Sequence, residues 1–180
     1  NATLKRHAVA GPLALGACRF FNVLLGMSVT ELTVDMTPIA AVIGLYIVGV
    51  SVMARREADT DDLGTVTHGP IVLGMVLSIA AVGSLAWLPG WMAEQQPILV
   101  RPSHWQAFVL VMTLLAAWRF LRALIDPRPG VVQGAVGQSI AALIVLDAGI
   151  TLAVAGIGPG LAVLALIVPN ALLRRWFYQT

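Results

Sequence analysis

Residues 131–157 read VVQGAVGQSIAALIVLDAGITLAVAGI, and the only charge among them is Asp147. A run of this length exceeds the roughly 20 residues that cross the hydrocarbon of a bilayer. Lipid offers no partner to an unpaired backbone N–H or C=O, so such a run crosses as a helix. Working outward, comparable apolar stretches lie at about His7–Val29, Pro38–Ala54, Pro70–Trp91 and Trp105–Ile125, with a shorter sixth at about Leu161–Phe177. The fold class is therefore all-α. We expect a polytopic transmembrane bundle of about six helices, with residues 1–180 as a single helical domain. Pro169 is expected to kink the sixth helix, and Gly158-Pro159-Gly160 to make a tight turn before it.

Composition agrees with this class. Charged residues make up 11% of the chain and the mean hydropathy is +0.87, whereas soluble domains carry about 25% charged residues. The charges are sorted by sign. Lys5 and Arg6 precede the first stretch, Arg55 and Arg56 follow the second, Arg119, Arg122 and Arg128 surround the end of the fourth, and Arg174 and Arg175 close the sixth. The intervening loops carry Glu31 and Asp35, then Glu94 and Arg101, then no charge. Alternate basic loops are the pattern of an even number of spans with the basic side cytoplasmic. The expected location is a bacterial inner (plasma) membrane, with both termini in the cytoplasm. A net charge of +2, with the basic residues flanking apolar segments, argues against a nucleic-acid partner.

Trp87, Trp91, Trp105, Trp118, Trp176, Phe177 and Tyr178 cluster near segment ends, as in an interfacial aromatic belt. Glycines at helical spacing, among them Gly11, Gly16, Gly44, Gly49, Gly130, Gly134 and Gly137, allow close backbone approach and a compact bundle. Cys18, the one cysteine, reads as a small packing residue. The chain opens directly before a span without an initiator Met, which reads as the C-terminal part of something longer.

Three sets of polar residues are candidates for chemistry. Arg19 and Asn22 lie three apart on one helical face, and Asp147 lies within the fifth segment. Ionisable groups at such depth are costly unless paired or wetted, so each is a candidate by default. Either Arg19 and Asp147 pair and pin the bundle, or Arg19 and Asn22 face a polar cavity and touch an anionic or polar ligand. The second set is the loop around Glu57, Asp59, Asp61 and Asp62, whose carboxylates have the oxygen chemistry to hold Mg²⁺ beside a phosphate, or else are a solvated loop face. The third is Lys5 and Arg6, suited to a diphosphate or to a positive anchor.

The stretch from Lys5-Arg6 through Gly11-Pro12-Leu13-Ala14-Leu15-Gly16-Ala17-Cys18-Arg19-Phe20-Phe21-Asn22-Val23-Leu24-Leu25-Gly26 resembles the fifth-helix region of UbiA-type polytopic prenyltransferases. Tyr46 to Ser51 and Ala54-Arg55-Arg56-Glu57 are similar to the end of that family's sixth helix and the start of its second Asp-rich loop. The likeness is strongest to the divergent UbiA-like branch that includes EboC-type proteins. It implies nine helices around a cavity open to lipid, of which this chain would carry the fifth to ninth and one more. It also implies transfer of a prenyl group from a prenyl diphosphate to an aromatic or other small acceptor, with Mg²⁺ between two Asp-rich loops. On that map Lys5 and Arg6 hold the diphosphate, Arg19 and Asn22 line the cavity, and Glu57, Asp59, Asp61 or Asp62 holds the metal. The sequence departs from the pattern: the two usual carboxylate positions of the second motif fall on Ala54 and Ala58, and Asn1 stands where the tyrosine partner of Lys5 is usual. The alternative is a non-catalytic membrane protein of the same type that binds or moves a lipid-like metabolite.

Overall fold

The computed structural model describes residues 10–27, 37–56, 68–92 and 99–177. Among them the chain is helical, with helices α1 (Ala10–Met27), α2 (Thr37–Arg56), α3 (His68–Ser84), α4 (Leu88–Met92), α5 (Pro102–Ile125), α6 (Pro129–Ala155), α7 (Ile157–Ala165) and α8 (Ile167–Phe177). Five stretches are long and apolar enough to cross a membrane: α1, Thr37–Ala54 of α2, the run His68–Gly90, α5 and α6. The chain is a helical integral membrane protein. The sixth segment forms two shorter helices, α7 and α8, instead of one span.

Helices α2, α3, α5 and α6 close a ring, each packed on two others. Their buried positions explain why. On α2 these are Ile39, Ile43, Tyr46, Val50 and Met53; on α3 Ile71, Gly74, Ser78, Ala81; on α5 Trp105, Val109, Met112, Ala116 and Ala123; on α6 Val132, Ala135, Ser139, Ala142 and Leu146. Steps alternating between three and four residues keep one seam facing inward in a bundle of nearly aligned helices. Helix α1 lies outside the ring and packs on α2. Its buried residues are Pro12 and Gly16.

Small residues set the closest crossings. A methyl on Gly16 would meet Val48 Cγ2 at 2.4 Å and the Gly44 carbonyl oxygen at 2.7 Å, so α1 and α2 touch backbone to backbone. A methyl on Gly49 would meet Ser78 Oγ at 2.5 Å and the Gly74 carbonyl oxygen at 2.8 Å, which locks α2 to α3. Gly130 and Gly134, by contrast, face open space, so only part of the expected glycine set makes crossings.

Prolines punctuate the helices. Pro102 and Pro129 open α5 and α6, where a missing N–H costs nothing. Pro89 cannot donate to the Leu85 carbonyl, and the third segment breaks there into a short 3-10 turn, Leu85–Trp87, before α4. The Leu85 oxygen instead accepts from the Leu88 N–H and from the Trp105 indole, the latter at 2.6 Å. Trp105 is therefore buried in the core and not in the interfacial belt, a correction to the sequence expectation; Trp87 and Trp118 are exposed, as a belt requires. Pro169 likewise cannot reach the Ala165 carbonyl, and the sixth segment breaks at Leu166, as expected. The expected turn at Gly158-Pro159-Gly160 is displaced. The chain reverses at Gly156, whose φ of +94° suits glycine, and Pro159 sits in the first turn of α7. Cys18 is exposed on α1, so it is not the packing residue its apolar setting suggested.

Candidate functional site

Arg19 stands midway along α1, one step of three beyond Gly16, on the side that faces the ring. Its guanidinium meets the Asp147 carboxylate of α6 in a hydrogen-bonded ion pair. Asp147 follows the buried seam residue Leu146, so it stands at the edge of the α6 seam, where α1 can reach it. The pair is part-buried, with side-chain exposures of 32% for Arg19 and 24% for Asp147. Arg19 Nε is buried without an acceptor. Thr151, one turn along α6, donates to the Asp147 carbonyl at 2.7 Å. The carboxylate thus ties α1 to a helix beyond α2.

Asn22 does not join this contact. It is exposed, because three residues turn the helix by about 300°. This differs from the expectation that Arg19 and Asn22 face the interior together: Arg19 lies against the ring and Asn22 on the open side of α1. Cys18 is exposed on that side too. The result is a polar strip at mid-helix, with Arg19 and Asp147 at its inner edge and Asn22 at its outer edge.

Lys5, Arg6, Glu57, Asp59, Asp61 and Asp62 lie outside the described residues. Among the described residues no three His, Cys, Asp or Glu side chains come together in a way that suits a metal ion.

A second polar group lies inside the ring and was not singled out by motif reading. The Tyr46 hydroxyl donates to the Ser139 carbonyl at 2.8 Å, joining α2 to α6. Ser78 and Ser139 are fully buried, and neither hydroxyl has a partner. Arg119 of α5 is half-buried, close enough for its charge to act on Tyr46, and its Nη1 is buried with no acceptor. The signal was present in the spacing. The buried seam of α5 runs 105, 109, 112, 116, 120 and 123, and Arg119 stands at its edge, one residue before the fully buried Phe120.

Between α5 and α6, Arg128 pairs with Asp126 through both nitrogens of its fork, the Nε contact at 2.6 Å. The hydrogen bond from Arg128 holds the Asp126 carboxyl below the usual range for aspartate, and the charge of Arg122 adds to this. A search with family models finds no match to this chain, and neither do searches of curated proteins and of solved structures.

Proposed function

We propose that this chain belongs to a UbiA-like membrane prenyltransferase that joins a prenyl group to an aromatic or other small acceptor. The observation that supports it best is the polar strip of Arg19, Asp147 and Asn22 halfway along a helix of membrane-spanning length. Ionisable groups at such depth avoid lipid tails and mark wetted, functional surfaces. The resemblance of residues 5–26 to the fifth helix of that family runs through the same strip.

In this reading the allylic C–O bond breaks, and its electron pair leaves on the diphosphate. A nucleophilic atom of the acceptor then bonds to the allylic carbon and loses its proton. Lys5 and Arg6 hold the leaving diphosphate, and apolar helix walls keep water from the cation. Mg²⁺, on Glu57, Asp59, Asp61 or Asp62, would add neutralising charge when bound. Asn22, exposed on the open side of α1, is the free polar contact offered to a substrate there. Arg19, neutralised by Asp147, is a positioning residue that fixes α1, the helix that follows Lys5 and Arg6 in the chain. The protein sits in a bacterial inner membrane with the N-terminal side of α1 and the loop after α2 facing the cytoplasm. After Cys18→Ser, cysteines at Thr33 and Gln95 then react with an impermeant thiol reagent from outside, and one at Asp61 does not.

The test is transfer from radiolabelled prenyl diphosphates of several lengths to a panel of acceptors in membranes holding the intact protein. Product should form with Mg²⁺ and fall about a hundredfold or more in Glu57→Gln, the scale of one well-placed electrostatic group. Unchanged turnover in Glu57→Gln and Asp61→Asn alike excludes this loop. The second reading, a non-catalytic protein that binds or moves a lipid-like metabolite, is favoured by the ion pair itself, which occupies Arg19 without any substrate. No product across the panel would select it.

A further inference from the structure

Among the described residues Arg119 has no counter-charge. It stands six residues before the end of α5, about 9 Å from that end along the axis. It lies at the edge of the α5 seam, beside Phe120, and its Nη1 is buried with no acceptor. Among the described residues the ion pairs are Arg19 with Asp147 and Arg128 with Asp126, so no carboxylate is left for Arg119. An unpaired cation in low dielectric is strongly unfavourable, and a lasting one implies an anion that joins it. Arg122, one turn nearer the end of α5, is exposed. Asp126 is already committed to Arg128 through both of its oxygens. Among the described residues the α5 end therefore carries two guanidinium groups on adjacent turns, one half-buried and one open, with no carboxylate free to meet them.

A phosphate group suits this arrangement. Guanidinium forks bind its oxygens in pairs, and a long side chain near a helix end reaches toward the headgroup layer. Basic pockets between helices near a membrane surface take anionic lipid headgroups. We propose that Arg119 and Arg122 hold the phosphate of an anionic lipid at the α5–α6 end of the bundle. This site is separate from the polar strip of α1 and does not depend on prenyl transfer.

The experiment uses the purified intact protein in detergent, delipidated, with phosphatidylglycerol, phosphatidylcholine or inorganic phosphate added separately. Lipid adducts are read by native mass spectrometry, and thermal stability is read alongside. Phosphatidylglycerol should bind at least tenfold more tightly than phosphatidylcholine. Arg119→Gln should weaken phosphatidylglycerol about tenfold or more, and Arg122→Gln by less, while phosphatidylcholine changes little. A crossover in stability is the distinguishing readout. Without lipid, Arg119→Gln should melt at or above the parent protein, because it removes an uncompensated cation. With phosphatidylglycerol it should melt below. Inorganic phosphate alone reproducing the full Arg119-dependent shift would assign the site to a soluble phosphate instead of a lipid. Equal lipid binding by Arg119→Gln and the parent protein overturns the proposal. So does Arg119→Gln that melts lower in every condition, or fails to fold, while Arg119→Lys and Arg122→Gln bind phosphatidylglycerol like the parent.

Discussion

Arg19 and Arg119 both stand part-buried inside membrane-length helices, and the fold treats them differently. Arg19 lies between α1 and the ring, and a carboxylate from α6 meets it. Arg119 lies at the edge of the α5 seam, and among the described residues no carboxylate pairs with it. The difference lies in what surrounds each. Arg19 sits at a joint between an outer helix and the ring, where one ion pair supplies a link that apolar packing does not. Arg119 sits within a ring already closed by seam packing, so its charge adds nothing to closure and answers to something else.

The largest effect expected from breaking this contrast is at the α1 joint. Removing one partner, as in Arg19→Met or Asp147→Leu, leaves the other charge unpaired. A fully buried pair loses about 3–5 kcal/mol in this way, and part-exposure reduces that to about 2 kcal/mol here. Thermal unfolding in detergent checks it; singles as stable as the parent would mean that the pair contributes nothing. Gly16→Leu should come close behind. Its side chain has no room against Val48 and the Gly44 carbonyl, and forcing α1 from α2 should cost about 1–3 kcal/mol. Gly134→Ala, with open space around it, is the matched control and should change little.

Within the ring, Tyr46→Phe removes the donor to the Ser139 carbonyl and should cost about 1 kcal/mol. A larger loss would show that the Tyr46 hydroxyl also serves Arg119. The smallest effect is expected at the exposed Asp126–Arg128 pair. The folded-state pKa of Asp126 is lowered, so its contribution is present above the ordinary aspartate range and fades as pH falls through the lowered value. The exposure of Arg128 keeps it small. Asp126→Asn should lower the melting temperature only slightly at pH 7 and remove the small further loss that the parent shows at acid pH.

The spans were legible because lipid imposes one rule on every residue of a run, and length with apolarity reads that rule directly. Residues 131–157 show it: the observed α6 is shifted toward the chain start by two residues at each end. Trp105 was misplaced because nearness to a segment end does not reveal that Pro89 leaves a carbonyl in need of a donor. The sixth segment shortened for a related reason, since Gly156 and Pro169 act on the backbone while hydropathy counts side chains. The Arg19–Asp147 contact was one of two readings the sequence left open, because partner choice between helices depends on crossing geometry. Asn22 shared a face with Arg19 on paper, yet sixty degrees of rotation separates a joint from an open surface. Arg119 was hidden by its own charge: beside a basic loop it reads as an anchor, and only its place next to the seam residue Phe120 brings it against the ring.

Arg19 fixes α1 through its pair with Asp147 and, on the proposed reading, does not itself handle substrate. A double-mutant cycle on Arg19→Met and Asp147→Leu in the intact protein tests this, read by thermal stability and by the proposed prenyl transfer together. The account predicts that each single loses both, and that the double variant regains most of the stability, with transfer returning to within a few-fold of the parent. A double variant as stable as the parent but still about a hundredfold slower in transfer would contradict it, and would place Arg19 on the substrate.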